Sequence, residues 1–346
     1  MQPPLLFRTY WRSISREVLM YGAICVLLTL QNSSYTLLRR YSSGVLQEQA
    51  SSQSILAMGE VFKALFCIWM LAHDRLKRAP SADDDDGAAP RESASVLGQA
   101  KRLTTSSLPM AVPAVIFLAM NLLSFISLRR ISASAFTLIQ QSKIIFTAVL
   151  SRLILGKSIS AQRWRALISL LLAVLIICYE TRRQMRAVDC NEVAPEAPHI
   201  AMEASSADFA AGVAAVAMEA ALSGLSNVYF EKVLKSTSLS VWERNIQLAS
   251  YSLVIYLPTA VWVNPSLFYG WSPLTWVVAL LGAFGGILIG LVINYCDSIV
   301  KNLALSCAII LTAVIDFFCF AGPMTLPIIA AGGSIVVSII NYTSSM

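Results

Sequence analysis

Residues 273–294 read PLTWVVALLGAFGGILIGLVIN, a run that contains no Asp, Glu, Lys or Arg. It is apolar all round rather than on one face, and it matches the ~20 residues that carry a helix across a bilayer. Working outward, runs of similar length recur from Tyr21 to Asn341, with short polar breaks between them. They place ten spans at 18–38, 54–72, 109–128, 132–155, 162–180, 209–230, 245–264, 273–294, 302–320 and 323–341. Backbone polar groups in hydrocarbon must be satisfied within their own segment. Long continuous runs therefore mean helices, not the alternating ten-residue strands of a barrel.

The composition agrees with this reading. Of 346 residues, 56% are hydrophobic and 13% charged, where soluble domains run near ~25% charged. An ordinary soluble enzyme is excluded. The net charge of +6 would suggest a nucleic-acid partner in a soluble chain, but in a membrane protein Lys and Arg first set topology, and no nucleic acid is expected. Counted by connection, 17 basic residues fall on the side of the N-terminus and 7 on the other, which puts both termini in the cytosol. Seven cysteines show no disulfide or metal spacing. Neither a cofactor nor a metal is expected.

Two polar stretches divide the chain. Residues 79–95, with Asp83, Asp84, Asp85 and Asp86 among Ala, Pro, Gly and Ser, are expected to be a disordered cytosolic linker. Residues 188–208 separate five spans from five as a luminal connection. The expected organisation is a cytosolic N-terminus at 1–17, a first five-helix repeat at 18–187 and a second at 209–346. A repeat is visible in the letters: IIFTAVL at 144–150 and IILTAVI at 309–315 share five of seven residues at an offset of 165. An odd number of spans per half inverts the second copy, which suits a carrier whose site opens alternately to two sides. The fold class expected is thus an all-α membrane protein of ten transmembrane helices in two inverted repeats.

Ionisable residues inside spans cost ~2.5–3.5 kcal/mol on insertion scales and mark cavities or partners. Here they are Glu60, Lys63, Lys143, Glu219 and Asp316. Lys143 lies with Thr137, Gln140, Thr147 and Ser151 within one arc of the fourth span, a polar stripe that reads either as interhelical hydrogen bonding or as a substrate path. Glu60 and Lys63 are spaced to pair on one helix face. Glu219 and Asp316 are candidates for proton coupling. Gly282, Gly286 and Gly290 are spaced for close helix contact. The hydrolase, nucleotide-loop and metalloprotease motifs are missing from the sequence.

Six short blocks carry a resemblance. Gln31-Asn32-Ser33-Ser34 resembles L-Q-N-x-S, Glu60 to Lys63 resembles E-x-x-K, and Gln141-Ser142-Lys143-Ile144 resembles Q-L-K-I. GLSNVYFEKVLK at 224–235 is similar to G-x-x-G-V-Y-x-E-K-x-L-K. Trp242 to Leu248 resembles W-x-R-N-I-Q-L, and Tyr295 to Lys301 resembles Y-x-D-N-I-x-K. These are motifs of the nucleotide-sugar transporters that carry UDP-galactose, UDP-N-acetylglucosamine and CMP-sialic acid, within the drug/metabolite transporter superfamily.

The resemblance implies a ten-helix Golgi carrier, with the endoplasmic reticulum as the alternative membrane, that exchanges a cytosolic nucleotide sugar for luminal nucleoside monophosphate. It implies that Lys143 lies near the phosphates, and that Glu60, Lys63, Gln141, Asn245 and Tyr295 lie at or near a central cavity; Gln140, Thr147 and Asn294 complete the expected set. Three positions depart from the pattern: Gln140 stands in place of Tyr, Asn294 in place of Lys, and Ala249 in place of the Tyr of the sialic-acid branch. The last favours a UDP-sugar. A membrane enzyme of glycan or polyprenyl assembly and a proton-coupled exporter remain as other readings, and self-association as a homo-oligomer stays open.

Overall fold

The computed structural model describes residues 5–42, 46, 48–78, 104–128, 130–131, 133–192, 206–236, 239–320 and 324–344. The expected linker at 79–95 and most of the 188–208 connection lie outside these residues. The described elements are helices: α1 (Leu5–Arg40), α2 (Ser52–Arg78), α3 (Leu108–Leu128), α4 (Ala133–Gln140), α5 (Lys143–Leu155), α6 (Ala161–Glu192), α7 (Ser206–Ser236), α8 (Val241–Val263), α9 (Pro273–Tyr295), α10 (Ser298–Phe320) and α11 (Leu326–Thr343). Among the described residues, 8 helical stretches are long and apolar enough to cross a membrane. The expected spans 18–38 and 109–128 correspond to α1 and α3, which are helical but not among those eight.

The sequence-based bounds differ from the structure where caps decide them. The seventh span was expected from 245, but Ser240 and Glu243 form a capping box and start α8 at Val241. The ninth was expected from 302; Asp297 accepts the backbone N–H of Val300 at 2.7 Å, as an N-cap does, and α10 begins at Ser298. Arg244 and Lys301, expected in cytosolic connections, are thereby drawn into helices, where they are 2% and 7% exposed. α6 continues to Glu192 because Ala161–Glu192 holds neither Pro nor Gly to stop it.

The fourth span is not one helix. At Gln141 and Ser142 the ladder tightens: Gln141 donates to the Leu138 carbonyl at 3.2 Å, Ser142 to Ile139 at 3.0 Å and Ile144 to Gln141 at 3.1 Å, all three residues back instead of four. The polar run Gln140-Gln141-Ser142 occupies the break, and Lys143 opens the second piece. Gly156, with φ 66°, ends α5 in the left-handed conformation that favours glycine.

Helix pairing crosses the midpoint of the chain. α1 packs on α9 and α10, α7 on α3 and α5, α2 on α8 and α9, and α6 on α11. Leu167, Leu170, Val174 and Ile335 form one fully buried cluster; Leu28, Leu288 and Val292 belong to another. Large apolar side chains also face outward, Trp262 at 90% exposure and Phe318 at 78%, as expected where lipid rather than protein covers them.

Candidate functional site

The expected site residues fall into two groups. The first surrounds the glycine-rich face of α9. Lys63 of α2 is 4% exposed and its ammonium pairs with Glu60 at 2.5 Å. A Cβ added at Gly286 would lie 3.2 Å from Lys63 Cδ, and one at Gly290 2.7 Å from Asn245 Nδ2. Gly285 abuts the Gln31 amide, which donates to the Leu281 carbonyl at 2.7 Å. Two of the spaced glycines therefore give room to polar side chains from α2 and α8. Close backbone approach is found instead at Gly59, whose Cβ would meet the Ala279 carbonyl oxygen at 3.3 Å. A cavity of about 230 Å³ lies between α1, α2 and α9, with Asn32, Tyr35 and Glu60 among its lining residues.

The second group sits at the break between α4 and α5. Gln140 Nε2 donates to Glu219 Oε1 at 2.8 Å; Glu219 is 3% exposed, and its other carboxylate oxygen has no hydrogen-bond partner among the described residues. Lys143 is partly buried and acted on electrostatically by Glu219. No hydrogen bond or ion pair engages its ammonium among the described residues.

Other members of the expected stripe turn elsewhere. Thr147 is fully buried, donates to its own helix at the Lys143 carbonyl at 2.7 Å, and lies against Gly224 of α7. Ser151, also fully buried, is 3.4 Å from the Ser298 hydroxyl. The Thr137 side chain lies outside the described residues. Gln141 is buried at the break. Asn245 is 1% exposed and donates to the Val241 carbonyl at 3.0 Å. Tyr295 is 45% exposed and stacks on Tyr21 with ring centroids 6.0 Å apart, and Asn294 beside it is partly buried.

A further cluster went unread in the sequence. Glu231 is completely buried near the end of α7, where it accepts from Lys157 at 2.7 Å, Lys235 at 2.9 Å, and the Ser298 backbone N–H and hydroxyl at 2.9 and 2.7 Å. Asp297 holds the same Lys157 at 3.2 Å. Four residues on from Asp297, Lys301 reaches Asn227 Oδ1 at 2.8 Å. Glu231 and Lys235 lie together in the block 224–235, but the other partners, Ser298 and Lys157, are 67 and 74 residues away in sequence. The available signal was a carboxylate and three lysines recurring at the chain segments next to spans.

The arrangement is a set of buried cations and amides inside a helical membrane protein, suited to binding an anionic polar solute rather than to bond chemistry. Comparison with known proteins agrees. The family model described as nucleotide-sugar transporter matches residues 16–343. A UDP-galactose/UDP-N-acetylglucosamine transporter of Caenorhabditis elegans is 30% identical over 94% of this chain and 83% of its own length. A UDP-galactose translocator of Canis lupus familiaris is 29% identical over 96% and 78%. A UDP-N-acetylglucosamine/UDP-N-acetylgalactosamine transporter of Caenorhabditis elegans is 30% identical over 90% and 89%. One crystal structure, 12% identical, superposes with a TM-score of 0.62 over 94% of this chain and 98% of that one, a likeness of fold alone. The family and these relatives are transporters and not enzymes, and the chain is a multi-pass membrane protein belonging to the nucleotide-sugar transporter family.

Proposed function

We propose that the protein is a Golgi antiporter that brings a cytosolic pyrimidine nucleotide sugar into the lumen in exchange for a nucleoside monophosphate. A UDP-sugar, UDP-galactose or UDP-N-acetylglucosamine, is favoured over CMP-sialic acid. The observation that carries the reading is Lys143: a lysine at a helix break within a membrane span, with no salt-bridge partner among the described residues, is poised for an anion that arrives from outside the protein. The printed names of the relatives supply the substrate class. Ala249, fully buried, supplies the lean toward uracil, because it offers no aromatic face.

Alternating access follows from ten spans in two inverted halves with both termini cytosolic. The pairing supports this: moving each span five places on turns the contacts of α1 with α9 and α10 into those of α7 with α3 and α5. The substrate would be held between the halves, with Lys143 on the phosphates and Glu60, Lys63 and Asn245 farther along the cavity wall. Proteoliposomes preloaded with UMP or CMP and offered a panel of labelled nucleotide sugars test the proposal. Uptake of a UDP-sugar that requires internal UMP is the expected result. Strict dependence on CMP would reverse the base preference, and uptake without any internal nucleotide would remove exchange.

A further inference from the structure

One face of α1 is fastened to α10 and to the turn that precedes it. Tyr21 stacks on Tyr295 with ring centroids 6.0 Å apart, Thr29 donates to the Ala304 carbonyl at 3.1 Å, and Ser33 donates to the Ala308 carbonyl at 2.8 Å. Tyr21, Cys25, Thr29 and Ser33 recur at four-residue spacing, so Cys25 lies on this face, one turn from the stacked rings. Its partner there is Cys296, the C-cap of α9. The two thiols are hydrogen-bonded to one another and pack against one cluster with Leu28, Leu288 and Val292. Both are free and partly buried, and neither belongs to the nucleotide site.

The two sulfurs are not equivalent. Cys296 lies between the spans formed by α9 and α10, and the hydrogen bond from Cys25 holds its thiol below the ordinary value. Burial and the Asp297 carboxylate oppose that shift, while the Lys235 ammonium, which donates to the Cys296 carbonyl, assists it. The thiolate is the attacking species in disulfide exchange, so Cys296 is the nucleophile and Cys25 the resolving thiol. Cys307 of α10 also acts on Cys25 and is the competing partner.

We infer that Cys25 and Cys296 are a thiol pair open to oxidation, and that the disulfide formed between them arrests exchange by tying α1 to the α9–α10 junction. The oxidant is a low-molecular-weight disulfide. The Cys296 thiolate attacks one of its sulfurs, breaks the S–S bond and releases one small thiol, which carries the proton lost from Cys296. The Cys25 sulfur then attacks Cys296, passes its proton to the second departing thiolate and closes the internal bond. Two protein thiols are oxidised and the oxidant is reduced to two thiols. The contacts of α1 with α10 named above are single hydrogen bonds and a ring stack, which are remade when helices shift, whereas a covalent bond is not. α1 belongs to the first five spans and Cys296 to the second five, so the tether joins the parts that the proposed alternating access moves. The arrest therefore rests on the transport reading above; formation of the bond does not.

Purified full-length protein treated with glutathione disulfide, alkylated and digested without reduction, is mapped by mass spectrometry. A peptide joining Cys25 to Cys296 that disappears with dithiothreitol is the expected product. In proteoliposomes, oxidation should lower nucleotide exchange at least tenfold, dithiothreitol should restore it, and the fraction of exchange lost should follow the fraction cross-linked, a comparison that needs no variant. Cys25→Ser and Cys296→Ser should each exchange normally and ignore the oxidant, while Cys307→Ser should respond as wild type does. Absence of the Cys25–Cys296 peptide from oxidised wild type, or a link from Cys25 to Cys307 in its place, overturns the inference. Cross-linked protein that exchanges as fast as the reduced protein overturns the arrest. Should reduced wild type exchange no nucleotide, the transport reading fails and the arrest with it, and the cross-linked peptide alone still decides whether the thiols pair.

Discussion

At the scale of single residues, the decisive group is Lys143. Removing one partner of a desolvated charge pair costs ~2–5 kcal/mol, so Lys143→Ala should lower nucleotide exchange in proteoliposomes by well over tenfold. Folding should survive, because losing a charge inside a span relieves an insertion cost. Lys143→Arg should be intermediate, since the charge remains on a wider, forked head group. Near-normal exchange by Lys143→Ala would reduce the residue to a packing role. Lys143 was legible because a lysine amid apolar letters stands out. Lys301 was not, because it lies four positions from Asp297 in a polar stretch that reads as a loop until the Asp297 cap is recognised. The same holds for Arg244, whose guanidinium donates to the Ser106 carbonyl at 2.9 Å and to Gln247 at 2.7 Å within the first turns of α8.

At the scale of elements, polar contacts at helix ends fix how the helices meet. Glu231 joins the α5–α6 connection, α7 and the start of α10. Glu231→Ala removes the carboxylate that Lys157 and Lys235 share and leaves Asp297 as the remaining partner of Lys157. Those lysines are 29% and 38% exposed, so solvent recovers part of the loss, and about 3 kcal/mol of stability should go, the low end for breaking a buried pair. Thermal unfolding in detergent checks this, with Glu231→Gln expected to lose less. Glu48 plays a comparable part between α1 and α9. Burial would raise its carboxyl, but hydrogen bonds from Ser272, Ser42 and Thr275 outweigh that and hold it below the ordinary carboxylate value. A carboxyl lowered in the folded state contributes stability above its unfolded value, near ~4.3, and loses it as pH falls through the folded one. The melting temperature of wild type should therefore exceed that of Glu48→Gln by a constant margin above about pH 5, and the margin should shrink on further acidification. No shrinkage would mean that these hydroxyls do not depend on the charged carboxylate. Helix existence was legible from apolar run length. The break at Gln141 was not, because the apolar letters continue on both sides of it and only the hydrogen-bond ladder records the change.

At the scale of the whole molecule, the question is which way the halves point. The match of 144–150 with 309–315 places α5 and α10 in equivalent positions, and α6 pairs with α11 as the fifth span of each half would. In the proposed arrangement, five spans per half would give the second copy the opposite orientation, with the two ends of the chain on the same face and the central connection on the other. The basic residues bear on the choice between the two faces: 17 against 7 supports the proposed placement of the termini in the cytosol. Some of the 17 are less free than loop residues, since Arg244 and Lys301 are buried within helices. Removing both leaves a twofold excess, so the orientation does not depend on them. Tags placed at the two termini should be digested by protease in cells whose plasma membrane alone has been permeabilised. A tag inserted between 193 and 205 should be protected until the internal membranes are dissolved. Protection of one terminus but not the other would mean an odd number of crossings, and that would end the inverted five-plus-five arrangement on which the exchange mechanism depends.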